Sequence, residues 1–178
     1  VGILVNQRTN IPLSERGSSV VALSQIVGNT IRGIQGTGLV LNRVMMLSPD
    51  GGPYTRRGIP IIANTFSDTG RLGILAWDSA VDFIGNGVAN AGGVGIYGAG
   101  LFGALMDNTV ENTQWADLGG RMMSDAMVLT GSELFPSYYS GSTGVTIVSG
   151  NISGSGRFGA LFEGDCAVPI EVVTISAN

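Results

Sequence analysis

Short apolar runs alternate with small, Gly-rich breaks along this chain, and the breaks recur at a fixed distance. In "IVGNTIRGIQGTGLVL", "IIANTFSDTGRLGILA" and "FIGNGVANAGGVGIYG", two apolar residues and a small one lead to Asn, followed by a short apolar stretch, Gly and a further apolar run. The marker residues are Asn29, Asn64 and Asn86. "LMDNTVENTQWADLGG" places Asn108 there, "VLTGSELFPSYYSG" places Ser132, and "IVSGNISGSGRFGALF" places Gly150 with Asn151 beside it. Three residues before the marker stand Ile26, Ile61, Phe83, Leu105, Leu129 and Ile147, and two after it stand Ile31, Phe66, Val88, Val110, Leu134 and Ile152. All of these positions are apolar. Nine residues after the marker come Gly38, Gly73, Gly95, Asp117, Gly141 and Gly159.

The markers at 64, 86 and 108 are 22 apart, and the next gaps are 24 and 18. A coil of that length holds three short strands and three turns. Each strand then pairs in parallel with its equivalent roughly 4.8 Å along the axis, and the apolar columns stack into a continuous interior. Asn suits a tight corner, because it tolerates the left-handed conformation and its amide can bond the next coil. Gly at a fixed offset marks a second corner that needs positive φ or no side chain. The pattern predicts an all-β chain, one solenoid segment over 1–178 of about seven coils, with long loop insertions near 6–18 and 42–57.

The corners "GNTI", "ANTF" and "DNTV", with the stretches "TGLVL", "LGILA" and "VGIYG", resemble the right-handed parallel β-helix superfamily. That group includes pectate lyases, alginate lyases and epimerases, phage tailspikes and surface β-helix repeat proteins. The resemblance runs from about residue 20 to residue 178 and implies a single-stranded right-handed parallel β-helix. It is specific for the fold and unspecific for activity. Tailspike-like proteins are commonly trimers, so a homotrimer is one implied partner state.

Both ends fall inside a coil. "VGILV" at residues 1–5 repeats the strand after the Gly corner, and Ile175 stands three residues before Asn178. Neither end carries a cap. The expectation is that further segments of the same protein, or other chains, cover both ends.

Composition narrows the function classes. Apolar residues make up 44% and charged residues 12%, which argues against disorder, and Gly shows no collagen period. All nine basic residues are Arg, and the net charge of −4 predicts no nucleic-acid partner. With no His and the single Cys166, zinc sites of the His/Cys type and an internal disulfide are excluded. No cofactor is indicated, Ca²⁺ included, because no run has dense acidic ligands. No apolar run is long enough to span a membrane. The chain starts at Val1 without a visible signal peptide, which predicts a processed or truncated N-terminus.

Candidate binding residues come from the insertions. Two coils exceed 22 residues by about 13, and in both the extra residues follow the Gly corner, at 6–18 and 42–57. Consecutive coils put equivalent insertions side by side. These loops hold Arg8, Arg16, Arg43, Arg56 and Arg57, five of the nine Arg, with Glu15, Asp50 and Tyr54. Guanidinium groups pair bidentately with carboxylates and sulfates, so the pattern points to an anionic polysaccharide or surface glycan. A second exposed stripe reads Arg71, Trp115, Tyr139 and Arg157. Catalysis is poorly signalled: Asp78, Asp82, Asp107, Glu111 and Asp117 show no spacing that singles out a facing pair. The sequence "RRGIP" at 56–60 does not match the Arg/Pro element of pectate lyases. The Asn151-Ile152-Ser153 sequon lies on a coil corner and reads as structural. The expected function is a structural and glycan-binding shaft of an extracellular, cell-surface or virion-surface protein, tailspike- or adhesin-like. The alternative is a polysaccharide lyase, hydrolase or epimerase acting on an acidic polysaccharide.

Overall fold

The computed structural model describes residues 1–6, 21–22, 25–42, 44–45, 58–131, 143–154, 156–164, 170–176 and 178. The described residues are all-β, with no helix among them. In chain order the strands are β1 (Ile3–Asn6), β2 (Val21–Ala22), β3 (Ile26–Val27), β4 (Thr30–Arg32), β5 (Leu39–Asn42), β6 (Val44–Met45), β7 (Ile59–Ile62), β8 (Thr65–Thr69), β9 (Ile74–Ile84), β10 (Gly87–Ala91), β11 (Ile96–Met106), β12 (Thr109–Glu111), β13 (Ala116–Asp117), β14 (Met122–Met123), β15 (Met127–Thr130), β16 (Thr143–Ser149), β17 (Ile152–Gly154), β18 (Ala160–Glu163) and β19 (Ile170–Ser176).

Apart from the β13–β14 hairpin, every pairing among the described residues is parallel and joins one pass of the chain to another. One sheet runs β1-β5-β9-β11-β15-β18, and a second runs β4-β8-β10-β12-β17. The far halves of β9 and β11 belong to a third face, where β3 pairs with β7, β7 with β9, β11 with β16, and β16 with β19. Each pass starts at one column of small residues, Gly2, Gly38, Gly73, Gly95, Ala126 and Gly159, whose backbones bond to the next pass at matching positions.

Inward columns form one continuous core. Ile26, Ile61, Phe83, Leu105 and Val148 stack from layer to layer, as do Phe66, Val88 and Val110 on the second sheet. On the first sheet Leu39, Ile74, Ile96 and Met127 make a third column. Outward on that same sheet, Leu75, Tyr97, Val128 and Leu161 form a further apolar column, closed over by Leu72, Val94, Leu118 and Met123. Leu118 and Met123 come from the hairpin, so that insertion covers an apolar strip outside the main core.

The first corner is held by a side-chain ladder. The backbone N–H and Nδ2 of Asn29 donate to Asn64 Oδ1 at 3.0 and 2.9 Å. The pattern repeats from Asn64 to Asn86, Asn86 to Asn108, Asn108 to Asn151 and Asn151 to Asn178. Each Nδ2 from Asn64 onward also reaches a main-chain carbonyl of an earlier layer, such as Ile61 O from Asn86 at 2.7 Å. Burial explains the need: the corner's main-chain groups are out of water and require partners.

Three expectations are corrected here. The repeat placed at Ser132 has its marker outside the described residues, but Leu129 does not take the place that repeat gives it. Met127–Thr130 pairs with Ile96–Ala99 and Ala160–Glu163, so Leu129 belongs to the strand after the small-residue column, and Asn108 bonds directly to Asn151 across 43 residues. The following marker is Asn151 rather than Gly150, which leaves Ile152 outward and 63% exposed. Asp117 likewise yields its column place to Ala126, because the hairpin adds residues between the two corners. The left-handed residue at the first corner is the one before the Asn: Gly28, Ala63, Gly85, Asp107 and Gly150 have φ between 52° and 68°. The Gly column needs an absent side chain, since a Cβ on Gly38 would lie 2.7 Å from Gly73 O and 2.9 Å from Phe66 Cδ1. A Cβ on Gly73 or Gly95 would run into Val88 or Val110 of the next layer. Ala126 is accommodated where the next layer puts the smaller Ser153 in the place of Val110.

Candidate functional site

Every long insertion on the first sheet leaves from one ladder column. Asn6, Asn42, Trp77, Ala99, Thr130 and Glu163 are paired in that order. Beyond Asn6, Asn42, Thr130 and Glu163 the sequence carries extra residues before it regains the third face. At Trp77 and Ala99 it does not, and β9 and β11 run on without a break. These two uninterrupted strands form a strip, two layers wide, between layers that carry insertions on either side.

Of the residues expected to bind ligand, Arg8, Arg16, Arg43, Tyr54, Arg56 and Arg57 all lie outside the described residues, as do Glu15, Asp50 and Tyr139. Their flanks are described. Asn6 is paired with Asn42 where the two segments leave, and Ile26 with Ile61 where they return. Val44, between them, is buried, and its N–H donates to Ser79 Oγ at 3.1 Å, while that hydroxyl donates to Trp77 O at 2.9 Å.

The strip's outward side chains were not singled out as a site by the sequence pattern. Ala76, Val81 and Phe83 of β9 and Leu101 of β11 point into the core, which turns Trp77, Asp82 and Phe102 outward, each half-buried. Trp77 stands across the ladder from Ala99, and Phe102 across from Ala80. Asp82 Oδ1 accepts the Ala104 N–H at 2.9 Å. Room for this carboxylate comes from two glycines. A Cβ on Gly58 would collide with the Asp82 carboxyl, and one on Gly103, at φ 135°, would lie 2.7 Å from Asp82 Oδ1. The register against β16 shifts between Gly103 and Ala104, so the carboxylate supports a local irregularity of the ladder. Burial pushes the Asp82 carboxyl above its ordinary value, and the Ala104 hydrogen bond offsets part of that.

Of the other candidate carboxylates, Asp78 is on β9 with Asp82 and the rest are dispersed. Glu111 is on β12 of the second sheet, Asp107 at the first corner and Asp117 on the hairpin. Among the described residues no group of His, Cys, Asp and Glu has metal-ligand geometry. No helix among them is long and apolar enough to cross a membrane.

On the second candidate stripe, Arg71 and Trp115 are exposed, but Arg157 is engaged. Its Nε and Nη2 donate to the fully buried Asp125 at 2.9 and 2.6 Å, and its guanidinium sits 4.9 Å from the Phe158 ring centroid. Arg121 on the hairpin makes a matching two-point pair with Glu163 at 2.7 and 2.6 Å. That hydrogen bond holds the Glu163 carboxyl below its ordinary value. Both pairs tie the hairpin to the layers beside it and read as structural. The Asn151 amide is used up by Leu105 O and Asn178 Oδ1, in agreement with a structural sequon.

No protein-family model matches the chain, and neither a curated protein nor a solved structure does.

Proposed function

We propose that this chain is a right-handed parallel β-helix serving as a structural and glycan-binding shaft on an extracellular, cell-surface or virion surface, with an acidic polysaccharide held along the edge where the insertions emerge. One observation carries the reading. Asn6 and Asn42 are paired neighbours, so the two Arg-bearing segments start from adjacent positions on one edge, and the paired Ile26 and Ile61 bring them back together. Five of nine Arg fall in those segments of a chain with net charge −4. Guanidinium forks suit carboxylate or sulfate groups repeated along a polymer. The parallel ladder sets the two segments to leave and to return at adjacent positions.

The test is calorimetric titration of the chain with oligogalacturonate and with a neutral oligosaccharide of equal length. The proposal expects binding of the acidic oligomer, weakening as salt rises because exposed charges are screened. Replacing Arg43, Arg56 and Arg57 by Gln should remove most of that affinity and leave the circular dichroism spectrum unchanged. Equal binding by the triple variant would contradict it. New unsaturated ends absorbing in the ultraviolet would replace binding by cleavage.

A further inference from the structure

We infer that the corner over Gly70 and Gly92 holds a second glycan subsite, with Trp115 as the stacking face and Arg71 as the anchor for a uronate carboxylate. This rests on the glycan-binding reading and extends it to described residues at the opposite edge of the first sheet. The insertions leave beyond Asn6 and Asn42, at the end of β1 and β5, whereas this corner precedes the small-residue column where that sheet begins.

Successive layers bring four residues into line there. Gly70 N–H donates to Ile34 O, Gly92 N–H to Thr69 O and Gln114 N–H to Ala91 O, at 2.7 to 2.8 Å. Gln35, Gly70, Gly92 and Gln114 therefore stand one layer apart, in that order. Packing fixes the two glycines: a Cβ on Gly70 would strike Gln35 O, and one on Gly92 would lie 2.5 Å from Gly70 O. The consequence is two adjacent layers without a side chain at this corner, exposed at Gly70 and half-buried at Gly92. The layers on either side carry exposed Gln35 and Gln114. Three ladder steps span roughly 14 Å, room for a sugar ring between the two Gln.

Arg71 follows Gly70 and Trp115 follows Gln114, so a cation and an aromatic flank the layer of Gly92 from either side. Trp115 is 55% exposed and belongs to neither apolar cluster. The side chains of Gln35, Arg71, Gln114 and Trp115 make no hydrogen bond, ion pair or ring contact among the described residues. The backbone at Trp115 is held nonetheless, because Ala116 packs beside Gly93 and the hairpin it opens is clamped by Arg121 and Glu163. An indole supplies a rigid apolar face for the C–H side of a pyranose. A guanidinium takes a carboxylate with two parallel bonds, and Gln amides both donate to and accept from hydroxyls. Together these groups match one hexuronate unit of a polymer.

The experiment uses the full chain with Trp77→Phe, which leaves Trp115 as the sole tryptophan. Its emission is followed on titration with hexagalacturonate and with maltohexaose, in this chain and in one that also carries Arg43→Gln, Arg56→Gln and Arg57→Gln. The same titrations are run calorimetrically, with Trp115→Ala and Arg71→Gln added to the latter chain one at a time. The inference expects a saturable shift of Trp115 emission with hexagalacturonate that persists without the insertion Arg. In that background Trp115→Ala should weaken the remaining binding about tenfold, and Arg71→Gln should bring it down to the maltohexaose value. Both residues are exposed, so neither change should move the urea midpoint. If hexagalacturonate binds while Trp115 emission stays constant and both variants bind as their parent, the subsite is overturned and the glycan-binding reading stands. If Trp115 emission shifts while the three insertion changes leave the affinity unaltered, the subsite stands and the insertion edge falls. Equal shifts with both sugars overturn Arg71 as a carboxylate anchor. Absence of binding by both overturns both.

Discussion

Two corners of this molecule carry columns of Asn, with one Asp in the second, at the same 22-residue spacing for different physical reasons. At one, Asn64, Asn86 and Asn108 are buried, and each amide bonds both a main-chain carbonyl and the amide of the next layer. At the other, four residues further on in each layer, Asp68, Asn90 and Asn112 are exposed and are themselves left-handed, with φ of 54° to 55°. Their side chains also touch, Asn90 to Asp68 at 2.8 Å and Asn112 to Asn90 at 3.3 Å, but in water. The first column satisfies backbone that water cannot reach. The second occupies a conformation that most side chains avoid. A column of recurring Asn in a repeat sequence therefore does not by itself say what the column is for.

The sharpest way to break this comparison is to remove one member of each column. Asn86→Leu strips partners from Asn64 N–H and Nδ2, Ile61 O and Asn108 Oδ1 in a buried corner, and should cost at least about 3 kcal/mol. Asn90→Leu loses only exposed contacts and pays for positive φ, about 1 kcal/mol. Urea unfolding of the two variants measures both, and equal midpoints would erase the distinction. A second pair tests the small-residue column. Gly73→Ala meets Val88 and, at 2.6 Å, Gly95 O, so it should destabilise by about 1–3 kcal/mol. Gly159→Ala meets only the rotatable Ser153 hydroxyl at 2.5 Å and should be close to neutral, as the native Ala126 in that column suggests.

Smaller effects come from the titrating groups. Asp82 has a raised pKa, so the folded state holds its proton over a window in which the unfolded chain has released it. Stability from this group falls as pH rises from the ordinary value of 3.8 through the raised one. Asp82→Asn should match wild type at low pH and gain stability relative to it above that window, read as midpoint against pH. Glu163 runs the other way. Its lowered pKa contributes stability above about 4.5 that is lost as pH falls through the folded value. The Arg121 side chain is 54% exposed, so Glu163→Gln should cost no more than about 1 kcal/mol at neutral pH and nothing in strong acid.

The sequence made the parallel layering legible where layers are uninterrupted. Asn64, Asn86 and Asn108 recur at one spacing because nothing is inserted between them, and their apolar columns are buried as expected. It misled at Ser132, because the hairpin at 113–125 and the residues after Gly131 lengthen that layer, and Leu129 next to small residues mimics a corner. Only the buried bond from Asn108 to Asn151 identifies the true neighbour. Asp82 among the carboxylates was visible, but not its setting. The relation to Gly58 and Gly103 joins three layers, and a linear pattern carries no sign of it. One usable signal existed: the shortest coils, which hold Trp77 and Phe102, must present their outward residues beside the layers that carry insertions.

Hydrogen exchange of side-chain amides, followed residue by residue on ¹⁵N-labelled protein, reaches the buried ladder most directly. The Nδ2 protons of Asn64, Asn86, Asn108 and Asn151 should exchange only through large-scale opening, orders of magnitude more slowly than those of Asn90 and Asn112. Fast, uniform exchange across all six residues would contradict the ladder and the layer register built on it.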